Sequence, residues 1–181
     1  MQLNKINSLV ELFFTKCGEN SFDKPFLKWL KDKKDFLTWK QVESDIQILS
    51  KYLRTNLSKG DRCILLSENR PEWLILDIAI MNAGGVTVPL FTTYSEKDYE
   101  YIIDDCKPKI CIVSNEIQLK KIKRFISDKI KILSIESIND KIESIESIFK
   151  RCAKKKNLNS NLNFNQTIER KDLACIIYTS G

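Results

Sequence analysis

Residues 63–90 read CILLSENRPEWLILDIAIMNAGGVTVPL, and this stretch decides the fold. Cys63 to Leu66 is a short apolar run of strand length. Pro71 suits the first turn of a helix, where its missing N–H is no loss. That helix runs to about Ala83, and Gly84-Gly85 stops it. Val86 to Leu90 is again strand-like. A strand, a helix and a second strand in such close succession form a βαβ unit, which makes the two strands parallel.

The alternation continues in both directions. Toward the C-terminus, Ser95 and Asp98 open a helix to about Cys106 that Pro108 closes off. Ile110 to Val113 is a strand, Glu116 to Ser127 a helix, and Ile130 to Ile135 another strand. Ile138, Ile142, Ile145, Phe149 and Cys152 have helical spacing and predict one helix. Arg151 to Arg170, rich in Lys and Asn, reads as a polar loop (151–170). Leu173 to Tyr178 is six consecutive apolar residues, expected as a strand buried on both faces.

Toward the N-terminus, Lys59-Gly60-Asp61 is a turn. Before it, Thr38 and Gln41 form a capping box for a helix with Val42, Ile46, Leu49 and Leu53 on one face. Pro25 to Trp39 reads as a hairpin, with Phe26 to Leu30 and Phe36 to Trp39 flanking the charged Lys31 to Asp35. Ser8 and Glu11 are spaced as a capping box for an amphipathic helix to Cys17. The class is α/β, built of βαβ units with a mostly parallel sheet. The I-E-S strings of residues 135–148 are biased composition, too short for a solenoid repeat.

Composition is that of a soluble globular chain, 43% hydrophobic and 30% charged over 181 residues. No run approaches the ~18 apolar residues of a membrane span. Asn7, Ser8 and Glu11 argue against a signal peptide, so a cytoplasmic location is expected. The six cysteines form no C-x-x-C pair and there is no histidine. A zinc site is therefore not expected, and catalysis by a histidine base is excluded within this chain. Cys63, Cys111 and Cys175 read as reduced core residues.

The net charge of +6 is uneven: eight acids against two bases over Glu68–Asp105, then eight bases against two acids over Lys107–Lys131. Such asymmetry suits either an anionic partner or solvated helix faces, and the second is the ordinary surface of a soluble domain. No recognised nucleic-acid-binding module accompanies the basic stretches, so no nucleic-acid partner is expected. No G-x-G-x-x-G follows a strand, which argues against a dinucleotide site.

The chain ends in DLACIIYTSG (172–181). Hydroxyls at Thr179 and Ser180 can donate to phosphate oxygens, and Gly181 can turn its N–H toward an anion. Three residues alone are a weak signal, and an ordinary turn after a strand explains them equally well. Four further segments stand in a telling order: LTWKQV (37–42), SENRPEW (67–73), AGGVTVPL (83–90) and YEYIIDDCKPKICIVS (99–114). Together with IIYTSG they resemble the N-terminal part of AMP-forming adenylating enzymes, long-chain acyl-CoA synthetases in particular. The resemblance covers residues 20–181 and is weak between 120 and 170.

That resemblance implies a two-step ligase. A fatty-acid carboxylate attacks the α-phosphate of ATP, and the thiol of coenzyme A then displaces AMP, with Mg²⁺ assisting. It implies that Thr179, Ser180 and Gly181 begin the loop that grips the ATP phosphates, and that no catalytic residue and no metal ligand lies within residues 1–181. Asn69, Arg70, Trp73 and Gly84-Gly85 are expected to be structural. Residues 1–181 are then the N-terminal part of an adenylation domain, truncated at the start of its phosphate loop and inactive alone. The alternative is a stand-alone, non-catalytic binding or scaffold module derived from the same family. Fatty acid, ATP and coenzyme A are the expected partners of the whole protein; peripheral membrane contact, acyl-chain length and oligomeric state stay open. Related enzymes use aryl acids or amino acids.

Overall fold

The computed structural model of the chain describes residues 6–19, 23–29, 36–154 and 168–179. Helix α1 spans Leu9–Glu19, followed by strands β1 (Pro25–Lys28) and β2 (Phe36–Thr38) and helix α2 (Trp39–Arg54). The strands pair antiparallel as the expected hairpin. Thr38 and Gln41 exchange both capping-box hydrogen bonds. At α1 the Ser8 hydroxyl accepts from the Glu11 N–H, but the Glu11 carboxylate reaches the Asn7 N–H instead. Phe26 stacks on Trp39 with ring centroids 3.7 Å apart, and Phe13 joins them. The hairpin is thereby fastened over α1 and α2.

Next come β3 (Arg62–Leu66), α3 (Pro71–Asn82), β4 (Val86–Leu90), α4 (Glu96–Cys106), β5 (Ile110–Val113), α5 (Glu116–Ile122), β6 (Lys131–Ser134), β7 (Glu143–Ser144) and α6 (Ile145–Lys154). The five strands from β3 to β7 form one parallel sheet in the order β4-β3-β5-β6-β7. Their continuous apolar runs divide by alternation between two cores. Cys63, Leu65, Ile110, Ile112 and Leu133 pack with α1, α2, α3 and α6. Ile64, Leu66, Val88, Cys111 and Val113 pack with α4 and α5 on the other side. Both faces are covered, which is why the runs show no polar interruption.

The motif AGGVTVPL has a structural cause at its glycines. Gly84 has φ +86°, the left-handed turn that ends α3. A Cβ at Gly85 would stand 3.0 Å from Ile80 Cγ2 and 3.1 Å from Leu57 Cδ1.

Three expectations are corrected. The isoleucines from 138 to 152 do not share a helix, since Asn139 turns the chain by accepting from the N–H groups of Lys141 and Ile142. Ile138 and Ile142 join the α4–α5 core, whereas Ile145 and Ile148 join the opposite one, and one helix cannot serve both sides of a sheet. The 151–170 loop begins later, because α6 continues to Lys154, and residues 155–167 lie outside the described residues. Helix α5 stops at Ile122 and tightens into a 3-10 turn over Lys123–Phe125, which lets Phe125 and Ile126 pack on the α4–α5 core.

The charge asymmetry resolves into helix faces. Within the basic stretch Lys120 pairs with Glu116, Arg124 with Glu96, and Lys121 donates to the Thr92 carbonyl at 2.7 Å.

Asp45 on α2 lines a cleft of about 400 Å³ with Arg70, Glu72, Ile75 and Glu136. Burial, reinforced by the Glu72 charge, raises its pKa to about 6 from an ordinary 3.8. Between these values the unfolded chain has released a proton that the folded chain keeps. Stability therefore falls as pH rises from 4 through 6. A fully buried carboxyl displaced this far would account for about 3 kcal/mol; half-buried and screened, Asp45 accounts for about 1 kcal/mol. Asp45→Asn is expected to stabilise the dilute chain by that amount at pH 7 and not at pH 4, as read by urea titration. Equal gains at both pH values would contradict this.

Candidate functional site

In an open parallel sheet, ligands bind beyond the carboxyl ends of the strands, where successive connections diverge. Here β3 leads into α3 on one face and β5 into α5 on the other, so their exits open between them. The β3 exit carries Ser67 to Arg70. Glu68 accepts from Gln118 Nε2 at 2.7 Å. Burial pushes its pKa up, but the Ser114 hydroxyl, its own backbone, Gln118 and Asn115 outweigh that and hold the carboxyl below the usual range. Arg70 bonds Glu72 at 2.9 Å and Glu136 at 2.7 Å, tying the start of α3 to the exit of β6. It is a structural residue, as expected, though its side chain makes no cap bond.

The 172–179 segment lies along the free edge of β4. Thr87 and Cys175 form one parallel bridge, with Thr87 N–H donating to the Ala174 carbonyl at 3.1 Å and Ile176 N–H to the Thr87 carbonyl at 2.9 Å. The expectation of burial on both faces is overturned. Ala174, Ile176 and Tyr178 pack inward, whereas Leu173, Cys175 and Ile177 are exposed. The segment is an edge, and no described element covers its outer side. Cys175 is accordingly no core residue. Cys63 and Cys111 are, with thiol pKa values pushed well up by burial.

Beyond Ile176 the segment reaches a cleft of about 580 Å³ lined by Phe91, Tyr94, Asp98, Tyr101, Ile102, Tyr178 and Thr179. Tyr99, fully buried, donates to the Phe91 carbonyl at 2.8 Å and so shapes the β4 exit from below. Tyr94 Oη donates to the Tyr178 carbonyl at 2.9 Å, and Tyr178 Oη to Asp105 Oδ2 at 2.5 Å. Burial and that bond to Asp105 raise the Tyr178 pKa, so its hydroxyl stays a donor. Asp98 is occupied in the α4 capping box with Ser95.

Of the three candidate phosphate-binding residues, Thr179 is exposed at the mouth of this cleft, and Ser180 and Gly181 lie outside the described residues. Tyr94, Tyr178 and Asp105 were not singled out from the sequence, where an aromatic or acid at those positions carries no functional signature. Among the described residues no group of three or more Cys, Asp or Glu could hold a metal ion, and no helix is long and apolar enough to cross a membrane.

A parallel sheet wound on both faces, with a hydroxyl-bearing exit beside its β4 edge, is the architecture of adenylate-forming enzymes. The chain superposes on the crystal structure of the anthranilate CoA ligase AuaEII in complex with anthranoyl-AMP. The TM-score is 0.70 at 18% identity, covering 83% of this chain and 30% of that one. The AMP-binding enzyme family matches residues 13–181, and the chain belongs to that family. It is 28% identical over 99 residues to the long-chain-fatty-acid–CoA ligase ACSBG1 of Rattus norvegicus, covering 54% of this chain and 14% of the ligase. It is also 28% identical over 146 residues to a mycosubtilin synthase of Bacillus subtilis, covering 80% of this chain and 5% of the synthase. The chain thus spans a small fraction of the curated relatives it matches.

Proposed function

We propose that residues 1–181 form the first part of the adenylation domain of an AMP-forming ligase that activates a long-chain fatty acid and passes it to coenzyme A. The observation that carries this reading is Thr179 standing exposed at the cleft beside the β4 exit, within a chain of the AMP-binding family. The long-chain ligase relatives favour the fatty acid as substrate. In the reaction the fatty-acid carboxylate attacks the α-phosphate of ATP, pyrophosphate leaves, and the coenzyme A thiol then displaces AMP from the acyl-adenylate.

The part of this chain is to bind. Thr179 and Ser180 hydroxyls donate to phosphate oxygens, and the Gly181 N–H adds a backbone donor. Fixed donors of this kind stabilise charge on a transferring group without reorganising. Mg²⁺ belongs to the complete enzyme, since the described residues offer no ligand cluster for it. The fatty-acid pocket and the groups that contact the α-phosphate are assigned to the remainder of the domain, outside these residues.

The test is fatty-acid-dependent exchange of labelled pyrophosphate into ATP. The protein encoded by the complete reading frame is expected to exchange with long-chain fatty acids, and the 181-residue chain to show none. Without the full set of donors, the ~8–23 kcal/mol of transition-state stabilisation that enzymes supply is out of reach. Exchange driven only by aryl or amino acids would overturn the substrate assignment. Turnover by the 181-residue chain would overturn its incompleteness, and a verified stop codon after Gly181 would favour the stand-alone module.

A further inference from the structure

The 172–179 segment is held to the sheet by little backbone bonding. Its ladder contact with β4 is the single Thr87–Cys175 bridge. Beyond Ile176, among the described residues, no backbone–backbone hydrogen bond holds it. Ile177 and Tyr178 then separate the last ladder bond from Thr179, and each contributes two soft dihedrals. Left so, Thr179 would not keep a fixed place relative to the cleft.

Two side chains from elsewhere in the fold grip Tyr178, the residue immediately before Thr179. Tyr94, on the loop after β4, donates its hydroxyl to the Tyr178 carbonyl at 2.9 Å. Asp105, in the last turn of α4, accepts from the Tyr178 hydroxyl at 2.5 Å. Main chain and side chain of Tyr178 are thus fastened to two different elements, which fixes both position and rotation of the residue. Each fastener is itself braced. Tyr94 packs edge-on against Phe91 and Tyr99 with centroids 5.3 and 6.1 Å away, and the Tyr101 ring meets Tyr178 edge-on at 6.2 Å.

Asp105 is also the wrong residue for its helix. An acid in the last turn faces the negative end of the helix dipole, and α4 has no basic residue there to offset it. A choice that local preference opposes marks a position where a longer-range demand prevails. The Tyr178 hydroxyl supplies that demand.

We propose that Tyr94 and Asp105 are positioning residues for the phosphate loop: by holding Tyr178 at its carbonyl and its hydroxyl, they set where the loop that starts at Thr179 leaves the sheet. The inference rests on the reading of Thr179–Gly181 as phosphate-binding. Its consequence is selective. Binding groups must be held within about 0.5 Å of their productive place, so loosening the loop weakens the handling of ATP and leaves the fatty acid unaffected.

The experiment uses the complete enzyme with Tyr94→Phe, Asp105→Ala and Asp105→Asn, measuring KM for ATP and for the fatty acid in pyrophosphate exchange, alongside melting curves. Tyr94→Phe keeps the ring and loses only the hydroxyl. Asp105→Asn keeps an acceptor oxygen for Tyr178, and Asp105→Ala removes it. Tyr94→Phe and Asp105→Ala are expected to raise KM for ATP about tenfold with the fatty-acid KM unchanged, as one lost hydrogen bond of about 1.4 kcal/mol implies. Asp105→Asn is expected to recover most of the loss. An unchanged ATP KM, equal changes for both substrates, or failure of Asp105→Asn to recover would overturn the positioning role. Should the unsubstituted enzyme show no exchange with any acid, the functional reading itself falls, which is a separate result.

Discussion

Gly181→Val in the complete enzyme is expected to lower acyl-adenylate formation by about 10²–10³-fold, with the melting temperature unchanged. Gly181 follows Thr179 and Ser180 directly, and an approaching phosphate leaves little room for a Cβ. Removing one well-aimed donor from a charge-stabilising site costs roughly 3–4 kcal/mol of transition-state stabilisation. If Gly181 only turned the chain, the cost would appear in the fold instead, at about 1–2 kcal/mol for a left-handed residue. Melting curves recorded beside single-turnover adenylate formation separate the two. A variant that melts early yet keeps its rate at low temperature would show a structural glycine and withdraw the phosphate assignment.

The fold was legible wherever a local signal coincided with a global demand. Thr38 with Gln41 and Ser95 with Asp98 marked helix starts that the structure closes with both reciprocal bonds. Val42, Ile46, Leu49 and Leu53, spaced for one face, are all at most 1% exposed. Reading failed where spacing alone was asked to choose between faces of the sheet. Ile142 and Ile145 are three residues apart, as on one helix face, yet they pack on opposite sides of the sheet. Length misled at Leu173–Tyr178. Six apolar residues look like a central strand, but alternation of exposure shows an edge. The candidate site was legible only in part, for the same reason. Thr179 stands in a recognisable string, whereas its supports come from 84 and 73 residues away, in Tyr94 and Asp105 acting on Tyr178. A hydrogen bond across that distance leaves no periodic trace in one sequence.

The edge has a consequence for the 181-residue chain in solution. Leu173 is 66% and Ile177 62% exposed, and Cys175 is exposed between them. In the parallel bridge to Thr87 the flanking residues bond β4, so the N–H and carbonyl of Cys175 face outward. Natural sheets protect such edges with charge, proline or a cover, and Leu173–Tyr178 contains neither charge nor proline. With no described element over it, this row is a template for another chain. The isolated chain is expected to bind a hydrophobic dye and to self-associate at micromolar concentration, in reductant so that Cys175 forms no disulfide. Ile177→Lys places a charge on the exposed row without touching either core. It is expected to shift the chain to monomer in sedimentation velocity and to change stability by no more than about 0.5 kcal/mol, the usual range for a surface position. Were the unsubstituted chain a monodisperse monomer with a sharp, cooperative melt, the edge would be closed in solution and the stand-alone module would become the better reading. Were Ile177→Lys to associate as strongly as the parent, the contact would lie on another surface.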